Sequence, residues 1–528
     1  MALNLSTLTN ASTSATVLAE AQTTADFLDS VPILKNIARG SNKGGDAKQT
    51  TALNQPKALP LIDGDGYLYC SGVNNNCAVI PDESALDVSG DLTLEADVTL
   101  PSYQPPVTTR LVSKYYTTGN QRSFMFYVAT TGSLGLVLSS TGSYQGGNEK
   151  QSSTLQSAGI SNGQRVKLKA TWRASDGRTQ FFYKIKGGDY TQLGTDQVLN
   201  AGSIYNGTAS VVLGGDNEGT SSAAQAAIHS AKIYGSIDDT NKVLDVDFTA
   251  TNIRHNDTKF KCATGQTVTI NQAGNDPATI IKKNVLRFAN TGSTNIALKG
   301  LFANHIDSGY MFAAFSILGD GGENYGRIFT VNRTGATNDS SGDNVIFSSR
   351  HFSTNDVRSY YGGNFNYHTG LFDDANGDIL HEVKIKSGDS SSKVNNADAK
   401  SDTLTINIDS NEFNICQNED NVRVDGENPA LDLEFLALFP ATITDAEAAR
   451  VVNYINTRNT VFDLKDSLGY YFFDGAKSPA SAISSGSASW NGRIVGSDNG
   501  DADKLATQAT NSDQPVGDGY KVTFADNT

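Results

Sequence analysis

Strict alternation of apolar and polar side chains is the feature that most limits how this chain can fold. In residues 92–100, leucine, alanine and valine occupy every second position, and threonine, glutamate and aspartate occupy the others. Residues 166–172 and 404–408 repeat the pattern. A period of two is typical of a strand with one face in a core and the other in water. Clusters such as Asp176-Gly177 predict hairpin turns between the runs, so the chain predicts an all-β fold.

Two stretches predict helices within this β pattern. Thr444 and Glu447 form a capping box, in which each side chain can satisfy a free backbone N–H of the first turn. Apolar residues then fall at helical spacing, so we expect a helix over residues 445–457 that packs on a sheet. Residues 14–30 also place apolar side chains on one side before Pro32, and this predicts a second short helix.

Internal repeats organise the chain further. Asp46 to Pro56 is similar to Asp503 to Pro515, and Arg165 to Lys169 is similar to Glu382 to Lys386. A length of 528 residues also corresponds to about three and a half domains of typical size. We therefore predict two complete jelly-roll β-sandwiches in tandem with partial units at the ends. The predicted divisions are an N-terminal leader with a short helix at 1–59, sandwiches at 60–280 and 281–463, and a C-terminal partial repeat at 464–528.

The C-terminal partial repeat looks like the opening of a third module that stops early. A truncated sandwich would leave an apolar face and a strand edge bare, and bare edges invite pairing. We therefore expect residues 464–528 to dock on a neighbouring domain or subunit.

Charge and composition limit the partners. The chain has 41 Lys and Arg against 56 Asp and Glu, and a net charge of -15 repels phosphate backbones and anionic bilayers. No basic residue precedes Lys35, and acidic residues stand where a secretory signal needs an apolar core. No run reaches the ~18 to 20 apolar residues of a membrane-spanning helix. We expect no nucleic acid partner, no signal peptide and no membrane insertion.

Residues 66–72 and 81–98, with the later strand at 169–172, resemble the concanavalin A-like lectin and glucanase superfamily, specifically its laminin-G-like jelly-roll modules. Residues 433–456 resemble the closing strand and terminal helix of the same modules. The resemblance covers roughly residues 60 to 463. It implies a sandwich fold and says little about function, because one sandwich hosts unrelated activities.

Tandem modules of this acidic composition, rich in Thr, Ser, Asn and Gly, also resemble the virion appendage proteins of tailed bacteriophages. That resemblance implies a non-enzymatic structural protein at the virion surface, either a head decoration or a tail fibre. Its partners would be other virion proteins, further copies of itself and a host-surface glycan. The alternatives are a secreted carbohydrate-binding or carbohydrate-active protein and a cell-surface adhesin.

Catalytic signatures are weak. Glucanases of the superfamily use a Glu-x-Asp-x-x-Glu strand, and the nearest string here, from Glu95 through Asp97 to Leu100, lacks the last glutamate. We therefore expect no hydrolysis, and we expect Glu95 and Asp97 to lie on a solvated strand face. The 4 cysteines have no metal or redox spacing. A disulfide between Cys70 and Cys77 across a short loop is the alternative to separate reduced thiols, which we expect.

Two kinds of binding residue remain as candidates. Many modules of this kind hold calcium through loop oxygens, and the best oxygen-rich loop here has the ligand candidates Asp373, Asp374, Asn376 and Asp378, although turns commonly have such clusters. No other cofactor is expected. Tyrosines stack on sugar rings, and the glycan-binding candidates, expected in loops, are Tyr115, Tyr116, Tyr360, Tyr361 and Tyr367. The competing interpretation places these tyrosines in a core or a subunit interface.

Overall fold

Among the residues that the computed structural model describes, the secondary structure consists of thirty-seven strands, one α-helix and five short 3-10 helices. The residues that it describes are 17–20, 27–28, 30–31, 33–34, 47–290, 296–319, 326–332, 345–351, 356–361, 364–368, 379–395, 397–403, 410–416, 428–457, 490–492, 506–508, 516–517 and 522–523.

The strands up to residue 281 are β1 (Val17–Glu20), β2 (Ile33–Leu34), β3 (Ala47–Lys48), β4 (Lys57–Leu59), β5 (Tyr67–Ser71), β6 (Cys77–Ile80), β7 (Leu92–Thr99), β8 (Thr109–Tyr116), β9 (Gln121–Val128), β10 (Ser133–Gly142), β11 (Glu149–Thr154), β12 (Arg165–Trp172), β13 (Arg178–Ile185), β14 (Thr191–Gln192), β15 (Gln197–Val198), β16 (Val211–Leu213), β17 (Gln225–Tyr234), β18 (Lys242–Asp247), β19 (Lys259–Lys261), β20 (Thr267–Asn271) and β21 (Thr279–Ile281).

The elements after residue 281 are β22 (Val285–Phe288), β23 (Leu298–Ile306), β24 (Gly309–Gly319), β25 (Arg327–Asn332), β26 (Val345–His351), β27 (Asp356–Tyr361), β28 (Asn364–His368), β29 (Ile379–Ile385), β30 (Ser390–Val394), β31 (Lys400–Asp402), β32 (Ser410–Ile415), β33 (Ala430–Phe439), helix α1 (Asp445–Thr457), β34 (Trp490–Gly492), β35 (Ala506–Gln508), β36 (Val516–Gly517) and β37 (Val522–Thr523).

Four large antiparallel sheets form two sandwiches, which confirms the predicted all-β fold. In sandwich 1, sheet 1a has the order β14-β13-β12-β7-β17-β5-β21, with β15 beside β13 and β18 beside β17, and sheet 1b has the order β11-β10-β9-β8-β16-β6-β20-β19. In sandwich 2, sheet 2a has the order β31-β30-β29-β24-β33-β22-β4, with β1 beside β33. Sheet 2b has the order β28-β27-β26-β25-β32-β23-β3-β2. The two sandwiches thus have the same strand arrangement, except that β15 has no counterpart among the described strands of sandwich 2.

Alternating side chains fill each core, as the sequence pattern predicts. Leu94, Ala96 and Val98 of β7 belong to one buried cluster with Trp172 and the inward residues of sheet 1b. A second buried cluster lies between the sheets of sandwich 2 and includes Phe329. All four cysteines are free and buried, so the expectation of separate thiols is confirmed.

The N-terminal strands take part in sandwich 2. Strand β4 pairs with β22 of sheet 2a, although the next strand along the chain, β5, belongs to sheet 1a. Conversely, β21 pairs with β5 of sheet 1a, although β22 follows it directly. Residues 60–66 and 282–284 therefore cross between the sandwiches. The domain boundaries after residues 59, 280 and 463 stay a prediction. The strand pairing shows in addition that the N-terminal segment contributes strands to sandwich 2.

The predicted N-terminal helix is wrong in the part of residues 14–30 that the structure describes. Val17–Glu20 is the strand β1, which pairs antiparallel with Phe435 to Leu438 of β33. Helix propensity is a weak preference, and pairing to an available strand edge overrides it. No helix of the described residues is long and apolar enough to cross a membrane.

Helix α1 begins and ends where the capping box and its apolar spacing predict. The Thr444 N–H donates to Glu447 Oε2 at 2.7 Å, and the Glu447 N–H donates to Thr444 Oγ1 at 3.3 Å. Val451 and Ile455 are buried against Phe435 and Phe439 on the outer face of sheet 2a. The helix therefore covers an apolar sheet face that would otherwise meet water.

Replacing Thr444 with alanine should lower the free energy of unfolding by about 1 kcal/mol, because the first turn loses the side-chain oxygen that caps it. Urea unfolding followed by circular dichroism measures the change. Thr442→Ala is the matched control, since Thr442 is an exposed threonine that precedes the helix. Equal effects of the two substitutions would contradict a capping role.

Candidate functional site

The outer face of sheet 1b carries a cluster of aromatic and polar side chains around Tyr115. Phe124, Phe126 and Val128 of β9 point into the core of sandwich 1. The residues between them point outward, and Met125 and Tyr127 form a separate buried cluster with Tyr115 of β8 and residues of β10. A sheet face opposite the core therefore holds a second, aromatic cluster.

Glycine at position 135 makes room for this cluster. Gly135 of β10 lies opposite Tyr127 of β9 in the ladder. A Cβ atom at Gly135 would overlap the Tyr127 ring, so only glycine lets the ring lie across the neighbouring strand.

A carboxylate connects the aromatic rings. The Tyr127 hydroxyl donates to Glu149 Oε1, and the Tyr144 hydroxyl donates to Glu149 Oε2 at 3.4 Å. Gln151 Nε2 lies 3.1 Å from the Tyr127 hydroxyl, to which it donates, and 3.2 Å from Glu149 Oε1. We name Tyr115, Tyr127, Tyr144, Glu149 and Gln151 the tyrosine patch. Tyr144 is the tyrosine with a large open surface, since 56% of it is exposed, and Gln151 is exposed as well.

Two arginines border the tyrosine patch. The Arg122 guanidinium carbon lies 5.5 Å from the centre of the Tyr115 ring, and Arg122 Nη1 donates to Asn120 Oδ1 at 3.1 Å. Arg122 Nε is buried and has no hydrogen-bond acceptor among the residues that the structure describes. Arg110 Nε lies 3.3 Å from Asp216 Oδ2. Arg122 thus places a positive charge beside the Tyr115 ring.

Burial keeps the tyrosines protonated. It raises the pKa of Tyr115, and the nearby Arg122 only partly opposes it. Burial and the hydrogen bond to Glu149 together raise the pKa of Tyr127 well above its ordinary value. Both hydroxyls therefore remain hydrogen-bond donors across the physiological pH range.

The predicted loop tyrosines lie in strands, which corrects their expected location. Tyr115 and Tyr116 end β8, and adjacent residues of a strand point to opposite faces, so Tyr116 does not join the patch. Tyr360 and Tyr361 end β27, and Tyr367 lies in β28, opposite Arg358. These two strands occupy in sheet 2b the positions that β10 and β11 occupy in sheet 1b.

The predicted calcium ligands Asp373, Asp374, Asn376 and Asp378 lie outside the described residues. Within the ranges that the structure describes, no group of three or more His, Cys, Asp or Glu side chains could hold a metal ion.

The prediction that Glu95 and Asp97 lie on a solvated face of β7 is wrong. Glu95 and Asp97 point away from the core, yet they are only 7% and 3% exposed. Arg165 Nε and Nη2 bind the two oxygens of Asp97 at 3.0 and 2.9 Å, and Arg165 Nη1 lies 2.6 Å from Asp65 Oδ2. Tyr190 lies beside Glu95, and burial together with the Glu95 charge raises the Tyr190 pKa. Neighbouring side chains thus cover and engage both carboxylates.

Sequence reasoning identified Tyr115 and missed the rest of the tyrosine patch. Tyr127 follows an alternating run, and that pattern alone could have placed it on the face away from the core. Glu149 and Gln151 start β11 after a loop, and only the strand register brings them beside Tyr127.

Comparisons with solved structures return jelly-roll proteins. The LG4-5 domains of the mouse laminin alpha1 chain share 10% identity and a TM-score of 0.26, covering 72% of this chain and 96% of that one. A putative carbohydrate binding protein from Bacteroides ovatus shares 11% identity and a TM-score of 0.28, covering 42% of this chain and 60% of that one. The CBM40 domain of the Ruminococcus gnavus IT-sialidase, bound to alpha2,3 sialyllactose, shares 15% identity and a TM-score of 0.23. The match covers 31% of this chain and 90% of that one.

No protein-family model and no curated protein sequence matches the chain. At the identities found, the similarity to solved structures concerns the fold alone. Laminin G domains and carbohydrate-binding jelly-roll proteins are therefore among the structures that this chain resembles, as the sequence predicts.

Proposed function

We propose that this protein is a carbohydrate-binding jelly-roll protein, and that the tyrosine patch of sandwich 1 is its glycan site. The observation that supports the proposal is the exposed Tyr144 ring held by Glu149 above two further tyrosines. A sugar offers an apolar ring face and a rim of hydroxyl groups. Aromatic rings suit the first, while the Glu149 carboxylate and the Gln151 amide suit the second.

We also propose that the protein binds glycans without hydrolysing them. Retaining and inverting glycosidases need two carboxyl groups that face a shared substrate. Asp97 is held by Arg165 in a two-point ion pair, and Glu95 is covered beside Tyr190. Incubation with the bound polysaccharide should release no reducing sugar above the buffer blank. Release that disappears in Glu95→Gln would overturn this part of the proposal.

Removing the exposed ring should weaken glycan binding. Screening the full chain on a glycan array identifies the ligand, and titration calorimetry then measures its Kd. Tyr144→Ala should raise Kd by about tenfold, because an aromatic contact contributes about 1 kcal/mol in addition to its buried area. Glu149→Gln should also weaken binding, since it removes the charge that orients both tyrosine hydroxyls.

Tyr116→Ala is the matched control, because Tyr116 neighbours Tyr115 in β8 and faces the other side of the sheet. Its Kd should equal that of the unmodified chain, and all variants should keep its melting temperature to within a few degrees. If Tyr144→Ala and Tyr116→Ala bind alike, the tyrosine patch is not the site.

Placement at the surface of a bacteriophage virion stays a prediction from composition and resemblance. Labelling intact particles with an antibody against this protein would test it by electron microscopy.

A further inference from the structure

Each sandwich consists of a body and a completing segment. The body of sandwich 1 runs from β5 to β17, and β18–β21 complete it; the body of sandwich 2 runs from β22 to β33, and β1–β4 complete it. The two completing segments occupy equivalent positions. Strands β18 and β1 lie on the last body strand, β20 and β3 extend the second sheet, and β21 and β4 lie beside the first body strand.

The two completing segments differ in where they lie along the chain. That of sandwich 1 follows its body directly, whereas that of sandwich 2 comes from residues 17–59, before either body. The chain after the body of sandwich 2 contains another short hairpin, β34–β35, which forms a two-stranded sheet of its own. Its register matches that of β2–β3: Leu34 pairs with Ala47 in one hairpin, and Gly492 pairs with Ala506 in the other.

The sequences of the N-terminal and C-terminal segments agree at constant spacing. The residues shared at equivalent positions are Ala47 and Ala506, Gln49 and Gln508, Thr51 and Thr510, Gln55 and Gln514, and Pro56 and Pro515. A short strand follows the proline in both segments, β4 in one and β36 in the other.

The shared residues include Gln49, which bonds the N-terminal segment to the body of sandwich 2, and Gln55, which bonds within the segment. Gln49 Nε2 donates to the Ala297 carbonyl at 3.2 Å, and Gln55 Nε2 donates to the Gln49 carbonyl at 3.0 Å. Ala47 is buried in the core of sandwich 2. One difference favours the N-terminal segment, because buried Ala58 corresponds to Gly517, which would fill less of the core.

We propose that the C-terminal segment of the same chain is an alternative completing segment for sandwich 2. It enters the slot beside β23 and β22 that β3 and β4 occupy, in the way that β18–β21 complete sandwich 1. One slot then has two competing segments, and Gly517 makes the C-terminal one the minor occupant.

Disulfide trapping in the full chain distinguishes the two occupants. Lys48 of β3 is the partner of Lys299 of β23, and directly paired positions of antiparallel strands lie within disulfide range. Lys48→Cys with Lys299→Cys reports the N-terminal segment. Lys299→Cys with Thr507→Cys reports the C-terminal segment, because Thr507 corresponds to Lys48. Lys299→Cys with Lys504→Cys is the control for random collision, since residue 504 precedes β35.

We expect the 48–299 disulfide to form most completely and the 299–507 disulfide to form above the 299–504 control, within single chains on a non-reducing gel. The native cysteines are buried and should not interfere. Gln49→Ala should raise the trapped 299–507 fraction by about fivefold, because the N-terminal segment loses one side-chain hydrogen bond to sandwich 2. Gln508→Ala should lower the fraction similarly, because the C-terminal segment loses the equivalent hydrogen bond.

Three results would overturn the proposal. The 299–507 disulfide could fail to exceed the 299–504 control in both the Gln49→Ala background and the unmodified background. The trapped fraction of the 299–507 disulfide could fail to rise with Gln49→Ala and to fall with Gln508→Ala. The disulfide could also appear only between chains, which would assign the slot to a second copy. Formation of the 48–299 disulfide in each background shows that sandwich 2 is folded, so an unfolded variant cannot imitate these results.

Discussion

Replacing Asp432 with alanine should lower the free energy of unfolding by about 3 kcal/mol, because the buried Arg287 guanidinium loses its two-point carboxylate partner and keeps only Asp276, which lies 3.2 Å from Nη1 and is 23% exposed. The side chains of Arg287 and Asp432 are 1% and 0% exposed. Arg287 Nε and Nη2 donate to the two carboxylate oxygens of Asp432 at 2.8 and 2.7 Å. Burial alone would lower the pKa of Arg287, and the charge of Asp432 outweighs this and raises it.

The same arginine links the two sandwiches, which is why a large effect is expected. Arg287 lies on β22 of sandwich 2, and it donates to the Pro277 carbonyl at 2.9 Å and to Thr279 Oγ1 at 2.6 Å, both in sandwich 1. Its guanidinium carbon lies 4.7 Å from the centre of the Tyr69 ring of β5. The pair therefore lies where sandwich 2 contacts sandwich 1.

Urea unfolding monitored by circular dichroism measures the loss. Asp176→Ala is the control, because Asp176 pairs with Arg173 at the surface and such pairs contribute about 0 to 1 kcal/mol. A double variant, Arg287→Met with Asp432→Leu, should regain much of the stability, since no charge remains buried. Equal losses for Asp432→Ala and Asp176→Ala would contradict this account.

Acid should destabilise the protein through His229. Its ring is fully buried in β17, with Nδ1 3.1 Å from the Gly66 carbonyl oxygen and Nε2 3.3 Å from Thr99 Oγ1. Burial, together with the charge of Arg165, lowers the pKa of His229 to about 4, and the charge of Asp97 opposes this only in part. The neutral ring is therefore the form that fits the fold.

The direction of the pH effect on stability follows from the pKa of about 6.5 that His229 has in the unfolded chain. Above that pH both states hold a neutral ring, and the contribution to stability is complete. As the pH falls from 6.5 to 4, the unfolded chain binds a proton that the folded chain rejects, and about 3 kcal/mol is lost. The measurement is urea unfolding at intervals between pH 7 and pH 4.

His229→Gln isolates the histidine, because carboxylates titrate alike in both proteins. The difference in free energy of unfolding between the unmodified chain and His229→Gln should change by about 3 kcal/mol across that pH range. Parallel pH curves would show that His229 does not carry the acid sensitivity.

The all-β fold and helix α1 could be predicted because their signals are local. The period of two in residues 92–100 predicts which side chains face a core, and the capping box at Thr444 predicts where a helix begins. The N-terminal strand could not be predicted in this way. Val17–Glu20 has helical spacing, and its strand conformation depends on β33, which lies more than 400 residues away along the chain.

The candidate site shows the same division. Tyr115 could be singled out as an aromatic residue of a polar chain, and alternation could have added Tyr127. Glu149 had no signal of its own, since only the register of β9, β10 and β11 brings its carboxylate to the Tyr127 hydroxyl. The burial of Glu95 and Asp97 also depends on residues distant along the chain, since Tyr190 lies beside Glu95 and Arg165 on the neighbouring strand binds Asp97.

The amino-acid sequence by itself determined that this protein is a tandem of β-sandwiches with repeated segments. The apolar–polar alternation, the turn residues and the internal repeats are all local patterns of side chains that can be recognised without the fold. Only the tertiary structure decided which segment completes which sandwich. The strands β4 and β5 follow each other in the chain, yet they belong to different sandwiches. Strand pairing joins distant residues through backbone groups that every residue carries, so side-chain pattern alone does not specify the partner.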